Sequence, residues 1–305
     1  MARGVRWIDL LDASRDELMA ESPVELHWSA LEQLLAPPPD RATARPRFEG
    51  HGDYVFGVLV VPVAVPEGDR VFYQEIDFVL TPAVALTVRK TPPAEEPFSI
   101  EQVQAACEAH GAPSAGLVLY YLVDDVAERY LSLLDSLNDE IDELESGIES
   151  WSSARVRRRL SDLREDILQI RRTLGPTRDA VRRIVDGRVD VGDDELFDRH
   201  LELSFADAHD KLLQSGESLD VARELISSAR DYHQSKIAQD QNEVVKKLAV
   251  VASLLLLPTF IVGVYGQNFE HMPELGWRLG YGFSWAIIAL TTAGQLVFFR
   301  WKRWI

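Results

Sequence analysis

Two stretches of the chain set oxygen-bearing side chains in a pattern that could hold a hard cation. The first is a walk of alternating three- and four-residue steps: Asp207, Asp210, Gln214, Glu217, Val221, Glu224, Ser228, Asp231, Ser235, Ala238, Asn242, Val245, Ala249, Ala252, Leu256, Thr259 and Gly263. A 3.5-residue period keeps one helix face on one seam of a supercoiled assembly. Ordinary coiled coils place Leu and Ile on that seam, whereas this one is mostly polar, acidic or small before Leu256. Such a composition fits several helices around an aqueous axis. A solvated outer face has the same periodicity in any amphipathic helix, so in the polar half the pattern leaves both readings open. In the apolar half, where Ser253, Thr259 and Gly263 fall, the choice is between a wet axis and small-residue helix packing. The second place is Tyr265-Gly266-Gln267-Asn268-Phe269-Glu270-His271-Met272-Pro273-Glu274-Leu275, which offers carboxamides and carboxylates together.

The elements that must hold these residues are legible on either side. Leu248 to Tyr265 runs eighteen residues without a charge, and a second uncharged run covers Leu279 to Phe299. About 20 apolar residues cross a hydrocarbon core as a helix. Two such runs make a membrane hairpin, and the short loop between them is where the chain presents chemistry on the far side. Lys246 and Lys247 precede the first run, and Arg300, Lys302 and Arg303 follow the second; the loop sets Arg278 against Glu270 and Glu274. The positive-inside bias therefore puts both termini in the cytoplasm and the loop outside the cell (inner) membrane. Trp277, Tyr281, Trp301 and Trp304 stand where an aromatic belt meets membrane lipids. Gly280-Tyr281-Gly282 resembles a potassium filter only superficially; at the start of a span it suits close helix packing.

Upstream, residues 193–265 hold no proline before Pro258, which predicts one helix of roughly 110 Å running into the membrane. A proline kink inside a span is tolerated. Asp135 to Glu149 contains seven acids and no base, and Arg155 to Arg183 ten arginines against four acids. The pattern predicts two antiparallel helices of opposite charge facing each other across a turn near Ser150–Ser153. Residues 1–115 read as mixed α and β. Strands are expected at Val5–Leu10, Tyr54–Val65, Val71–Leu80 and Val84–Arg89, short helices within Ser14–Leu35, and a helix over Phe98–His110 stopped by Gly111.

The fold class is thus an α+β N-terminal cytoplasmic domain (1–115), an antiparallel helical hairpin (116–190) and a stalk helix (191–245). A first transmembrane helix (246–266), an outer loop (267–279), a second transmembrane helix (280–300) and a basic cytoplasmic tail (301–305) complete it. The formal net charge of −17 argues against nucleic acid and toward cations. Cys107 is the single cysteine, which rules out a disulfide or thiolate metal site within one chain. No phosphate loop or nucleophile elbow is present, so no enzyme is expected.

Tyr265-Gly266-Gln267-Asn268 followed by Met272-Pro273-Glu274-Leu275 resembles the CorA-type magnesium transporters. That family closes the first of two C-terminal spans with a Gly-Met-Asn signature and continues into a Met-Pro-Glu-Leu loop. Asn242-Glu243-Val244-Val245-Lys246 resembles the family's entry to that helix; Asp207-Ala208-His209-Asp210 and Asp231-Tyr232 resemble its acidic positions on the stalk. The resemblance spans essentially the whole chain. It implies a homopentameric funnel in which Gly266, Gln267 and Asn268 form the selectivity filter. It further implies that Asn242, Leu248, Leu256, Thr259 and Gly263 line the pore, and that Asp207, Asp210 and Asp231 bind regulatory metal. Glu270 and Glu274 would concentrate cations at the entrance. Mg²⁺ would be both cargo and regulator, with Co²⁺ and Ni²⁺ as further substrates.

The departure is Gln267, which stands where the signature has Met. Relatives that vary this position include the ZntB-type zinc transporters, so Zn²⁺ is the alternative cargo, with His209, His233 and His271 as softer candidate ligands. A two-span membrane sensor or scaffold is the second alternative.

Overall fold

The structure, a computed structural model, describes residues 5–38, 45–65, 70–111, 113–192, 196–267 and 272–305. Two compact units divide the chain, Met1–Ala229 and Arg230–Ile305. The division falls inside the longest helix.

In the first unit, five strands form one sheet in the order β1-β5-β4-β3-β2. The strands are β1 (Arg6–Leu11), β2 (Arg47–Gly50), β3 (Val55–Val65), β4 (Arg70–Leu80) and β5 (Val84–Arg89). β1 runs parallel to β5, and the other neighbours are antiparallel. The central strands alternate between two cores. Val55, Leu59, Val61, Ile76, Phe78 and Leu80 face one core, and Phe56, Val58, Val60, Val79 and Val88 face the other. A sheet covered on both faces explains why these strands read as nearly continuous apolar runs. Gly57 is fixed by packing: a Cβ there would stand 2.1 Å from Phe78 Cζ and 2.7 Å from Phe48 Cδ1. Pro62 is tolerated in β3, which among the described residues pairs with β2 only as far as Val58.

Helices α1 (Arg15–Glu21) and α2 (Trp28–Leu35) cover one face of the sheet; α1 opens with a Ser14/Glu17 capping box. Beneath α2 lies a buried charged group. Lys90 Nζ donates to the Gln33 carbonyl in the last turn of α2 at 2.7 Å. It also bonds Glu75 and lies 2.8 Å from Asp77 Oδ2, with all three side chains at most 3% exposed. Two carboxylates thus share one ammonium. Among the described residues neither Asp77 oxygen receives a well-directed hydrogen bond, and burial, then the Glu75 charge, pushes its pKa up to about 8.

α3 (Glu101–His110) ends at Gly111, whose φ of 89° is a left-handed C-terminal stop. α4 (Ala115–Gly147) and α5 (Ser153–Val185) then form the hairpin, with Ser114 and Ser152 as N-caps. The expectation of opposite charges facing each other needs correction. Leu133, Leu137, Ile141 and Leu144 bury with Val156, Leu160, Leu163, Ile167 and Ile170 in one apolar cluster. Charges flank that seam: Arg159 reaches Glu140 at 3.0 Å, and the Arg155 guanidinium stacks 3.8 Å over the Trp151 ring. Apolar burial outweighs exposed pairs, so the charge blocks decorate the hairpin and the leucines close it.

α6 (Arg199–Tyr265) is unbroken over 67 residues. It starts at Arg199 because Asp198 accepts the Leu201 N–H at 2.8 Å as its N-cap. Its first half buries Leu201, Phe205, Ala208, Leu212, Ser215, Leu219, Ala222, Ile226, Ala229 and His233, a second 3-4 walk.

The second unit holds the C-terminal part of α6, a 3-10 turn (Pro273–Gly276) and α7 (Gly280–Trp301). Both helices are long and apolar enough to cross a membrane, and only 6% of each apolar window is buried.

Candidate ion pathway

With one walk of α6 taken by packing in its first half, the other is left uncovered. Every residue of the stripe from Asp207 through Asp231, Asn242 and Leu256 to Gly263 is exposed in the single chain. The exposed face passes from acids to small and apolar groups as the helix enters its uncharged part. Leu248 and Leu256 are 67% and 72% exposed, which in water is costly for side chains of this size.

Local chemistry differs along the stripe. Asp231 Oδ1 lies 3.4 Å from Arg230 Nη2, and Asp210 Oδ1 lies 3.8 Å from His209 Nδ1. Beside Asp207, Lys211 turns away from the stripe and bonds Asp124 at 2.7 Å and Glu128 at 2.5 Å on α4. A fixed cation thus sits one turn from the first acidic positions. Thr259 Oγ1 donates to the Leu255 carbonyl at 2.7 Å, which leaves the hydroxyl's lone pairs for whatever faces it. At Gly263, among the described residues, nothing beyond the helix's own backbone lies within 4 Å of where a Cβ would be.

The helix ends where the signature begins. Gly266 N–H bonds the Val262 carbonyl at 2.9 Å and Gln267 N–H the Val264 carbonyl at 3.3 Å. Both residues are exposed at the C-terminus of α6, where the peptide dipoles sum to partial negative charge and favour a cation. Asn268, Glu270 and His271 lie outside the described residues. Glu274 is half-buried in the 3-10 turn, and its carbonyl accepts the Trp277 N–H at 3.3 Å. Gly280 permits the return into α7: a Cβ there would stand 2.3 Å from the Glu274 oxygen. Around Gly282, among the described residues, nothing beyond the helix's own backbone lies within 4 Å of where a Cβ would stand.

One chain does not bring the sequence-chosen donors together. Among the described residues, no three His, Cys, Asp or Glu side chains gather as a metal site. His233 points into the packed face and His209 is half-buried beside Asp210. Two groups escaped sequence reasoning. Lys211 meets acids 87 and 83 positions earlier in the chain, which no local pattern signals. Gln295 of α7 donates its amide to Ser253 Oγ at 2.8 Å and to the Ser253 carbonyl at 3.1 Å. A lone carboxamide in an apolar span was the available signal.

The comparisons with known proteins agree with the geometry. The cobalt/magnesium transport protein CorA of Thermotoga maritima is 26% identical over 302 residues, covering 98% of this chain and 83% of that protein. The CorA magnesium transporter of Methanocaldococcus jannaschii shares the fold with a TM-score of 0.79 at 20% identity, over 98% of this chain and 91% of that one. The ZntB cytoplasmic domain of Vibrio parahaemolyticus is more distant, with a TM-score of 0.58 at 16% identity over 76% of this chain and 88% of that one. A family model described as CorA-like Mg²⁺ transporter protein matches residues 2–303, and the chain belongs to that family.

Proposed function

We propose that the protein is a divalent-cation channel of the cytoplasmic membrane, carrying chiefly Mg²⁺, with Co²⁺ and Ni²⁺ as lesser cargo, into the cell. It is a transporter and not an enzyme, as its family membership implies. The observation that carries this reading is the exposed stripe of α6, continuous from Asp207 to Gly263 and ending on Gly266 and Gln267. A face that keeps Asn242, Ala249, Ala252, Thr259 and Gly263 among its members while its helix turns apolar has a use when copies of it surround water. Five copies about an axis, as a homopentamer, would place Asn242, Leu248, Leu256, Thr259 and Gly263 along the conduit and Asn268 at the mouth. In this reading 1–115 and 116–190 form the cytoplasmic body and 191–245 the stalk. Segments 246–266 and 280–300 are the spans, 267–279 the outer loop and 301–305 the cytoplasmic tail.

Mg²⁺ holds its water tightly and keeps several water ligands. A ring of carboxamide oxygens grips a hydrated ion from outside without stripping it, whereas a ring of carboxylates would hold it too strongly for release. Glu270 and Glu274 raise the local cation concentration at the entrance. In the stalk the carboxylates have the opposite task. Mg²⁺ bound between copies at Asp207, Asp210 and Asp231 holds the bundle closed, and its loss lets like charges loosen it. The ion acts only through its higher affinity for the closed state.

The test is Mg²⁺ entry into proteoliposomes followed with an internal dye. The native protein should conduct when internal Mg²⁺ is low, and Asn268→Ala should lose at least about tenfold in flux, the loss of roughly 1.4 kcal/mol. Native protein without flux would overturn the reading. Gln267 in the signature keeps Zn²⁺ as the second cargo to compare, by competitive uptake of Mg²⁺, Co²⁺, Ni²⁺ and Zn²⁺.

A further inference from the structure

We propose that Gln295 is a positioning residue for conduction. From the outer span it holds the pore-lining helix at Ser253 and thereby fixes the direction in which Leu256 and Thr259 face; this rests on the channel reading above. Gln295 Nε2 makes two bonds to one residue, to the Ser253 hydroxyl at 2.8 Å and the Ser253 carbonyl at 3.1 Å. No water competes for these groups in a hydrocarbon layer, so the pair stays made. The amide's Oε1 is buried with no hydrogen-bond partner among the described residues, so the side chain is anchored by its donor end.

The bond falls where α6 most needs an outside hold. Pro258 has no N–H, which leaves the Leu254 carbonyl without its intrahelical partner. The Thr259 hydroxyl takes the next carbonyl, Leu255. The helix ladder is therefore altered directly after Ser253, over the turn that carries Leu256 and Thr259 on the exposed stripe. A helix loosened at that point can roll about its axis, and a roll would turn the ring residues off the pathway. A bond from α7 to the carbonyl of Ser253 resists that roll, and the second bond to the hydroxyl sets its angle.

The test uses the full chain in proteoliposomes, with flux normalised to the assembled oligomer counted by native mass spectrometry. Gln295→Met keeps the length and removes the donor. Interhelical hydrogen bonds of this kind are modest, so maximal Mg²⁺ flux should fall about fivefold. The external Mg²⁺ giving half-maximal flux should not move, because the mouth at Asn268 is untouched. Ser253→Ala keeps the carbonyl bond and should lose about twofold; added to Gln295→Met it should lose nothing more. Native flux in Gln295→Met, a half-maximal concentration that moves with it, or losses that multiply in the double variant would each overturn the role. If Gln295→Met does not assemble, Ser253→Ala decides: an assembled channel with flux down about twofold supports the role, and native flux overturns it. A native protein that conducts nothing removes the channel reading and this role together, and that arm is read first.

Discussion

Asp207 and Asp231 occupy the same exposed stripe, yet their surroundings differ. Asp231 has Arg230 beside it, while Asp207 lies one turn from Lys211, whose ammonium is already held by Asp124 and Glu128. If both acids are regulatory, replacing them by Lys should alter how flux depends on internal Mg²⁺ and leave ion preference intact. Closure by internal Mg²⁺ should weaken about tenfold, within the range of ordinary coupling between sites. Dye-monitored flux over a series of internal Mg²⁺ concentrations measures this; lost discrimination among cations would instead place the acids in the conduit. At this scale the exposed walk and the end of α6 before Gly266 were legible, since periodicity and local motif need only neighbouring residues. Lys211 and Gln295 were not, because their partners lie 87 and 42 positions away.

Elements were legible where burial left a pattern. β3, β4 and β5 lie close to their expected spans because a sheet covered on both faces selects apolar, β-branched residues throughout. β2 has only four residues, Arg47–Gly50, and nothing local marks it. The hairpin shows how composition misleads: its charge blocks dominate the sequence, but the buried leucines and isoleucines between them close it. The Lys90–Glu75–Asp77 group was equally hidden, since it joins β4, the end of β5 and α2. Its consequence is a pH dependence. Asp77 holds a proton in the folded domain up to about pH 8, whereas the unfolded chain releases it near the ordinary value of 3.8. The folded state thus binds more protons across that window, and stability falls as pH rises from about 4 to about 8. Thermal unfolding should show a declining midpoint over that range, flattened in Asp77→Asn. An unchanged slope in that variant would mean the proton lies elsewhere.

For the whole molecule the sequence offered the order of parts and the two uncharged runs. It also gave a periodic face that read equally well as a solvent-facing surface in its polar half. The fold removes part of that ambiguity. Packing in the first half of α6 uses the walk from Leu201 to His233, and the Asp207 walk is exposed along its whole length, including Leu256. Family membership supplies the setting in which such a face has a function. The sequence-chosen donors do not meet within one chain, which gathers no metal site among its described residues.

The central claim is that this face of α6 meets water within the membrane. Cysteine accessibility measures it most directly, starting from Cys107→Ser, since the lone native thiol is buried. Leu256→Cys and Thr259→Cys should react with a small, charged, water-soluble thiol reagent, and Mg²⁺ flux should then fall at least about tenfold. Leu254→Cys and Leu257→Cys, at half-buried positions off the stripe, should neither react nor lose flux. Reaction and block at Leu254 and Leu257, with Leu256 and Thr259 inert, would contradict the account.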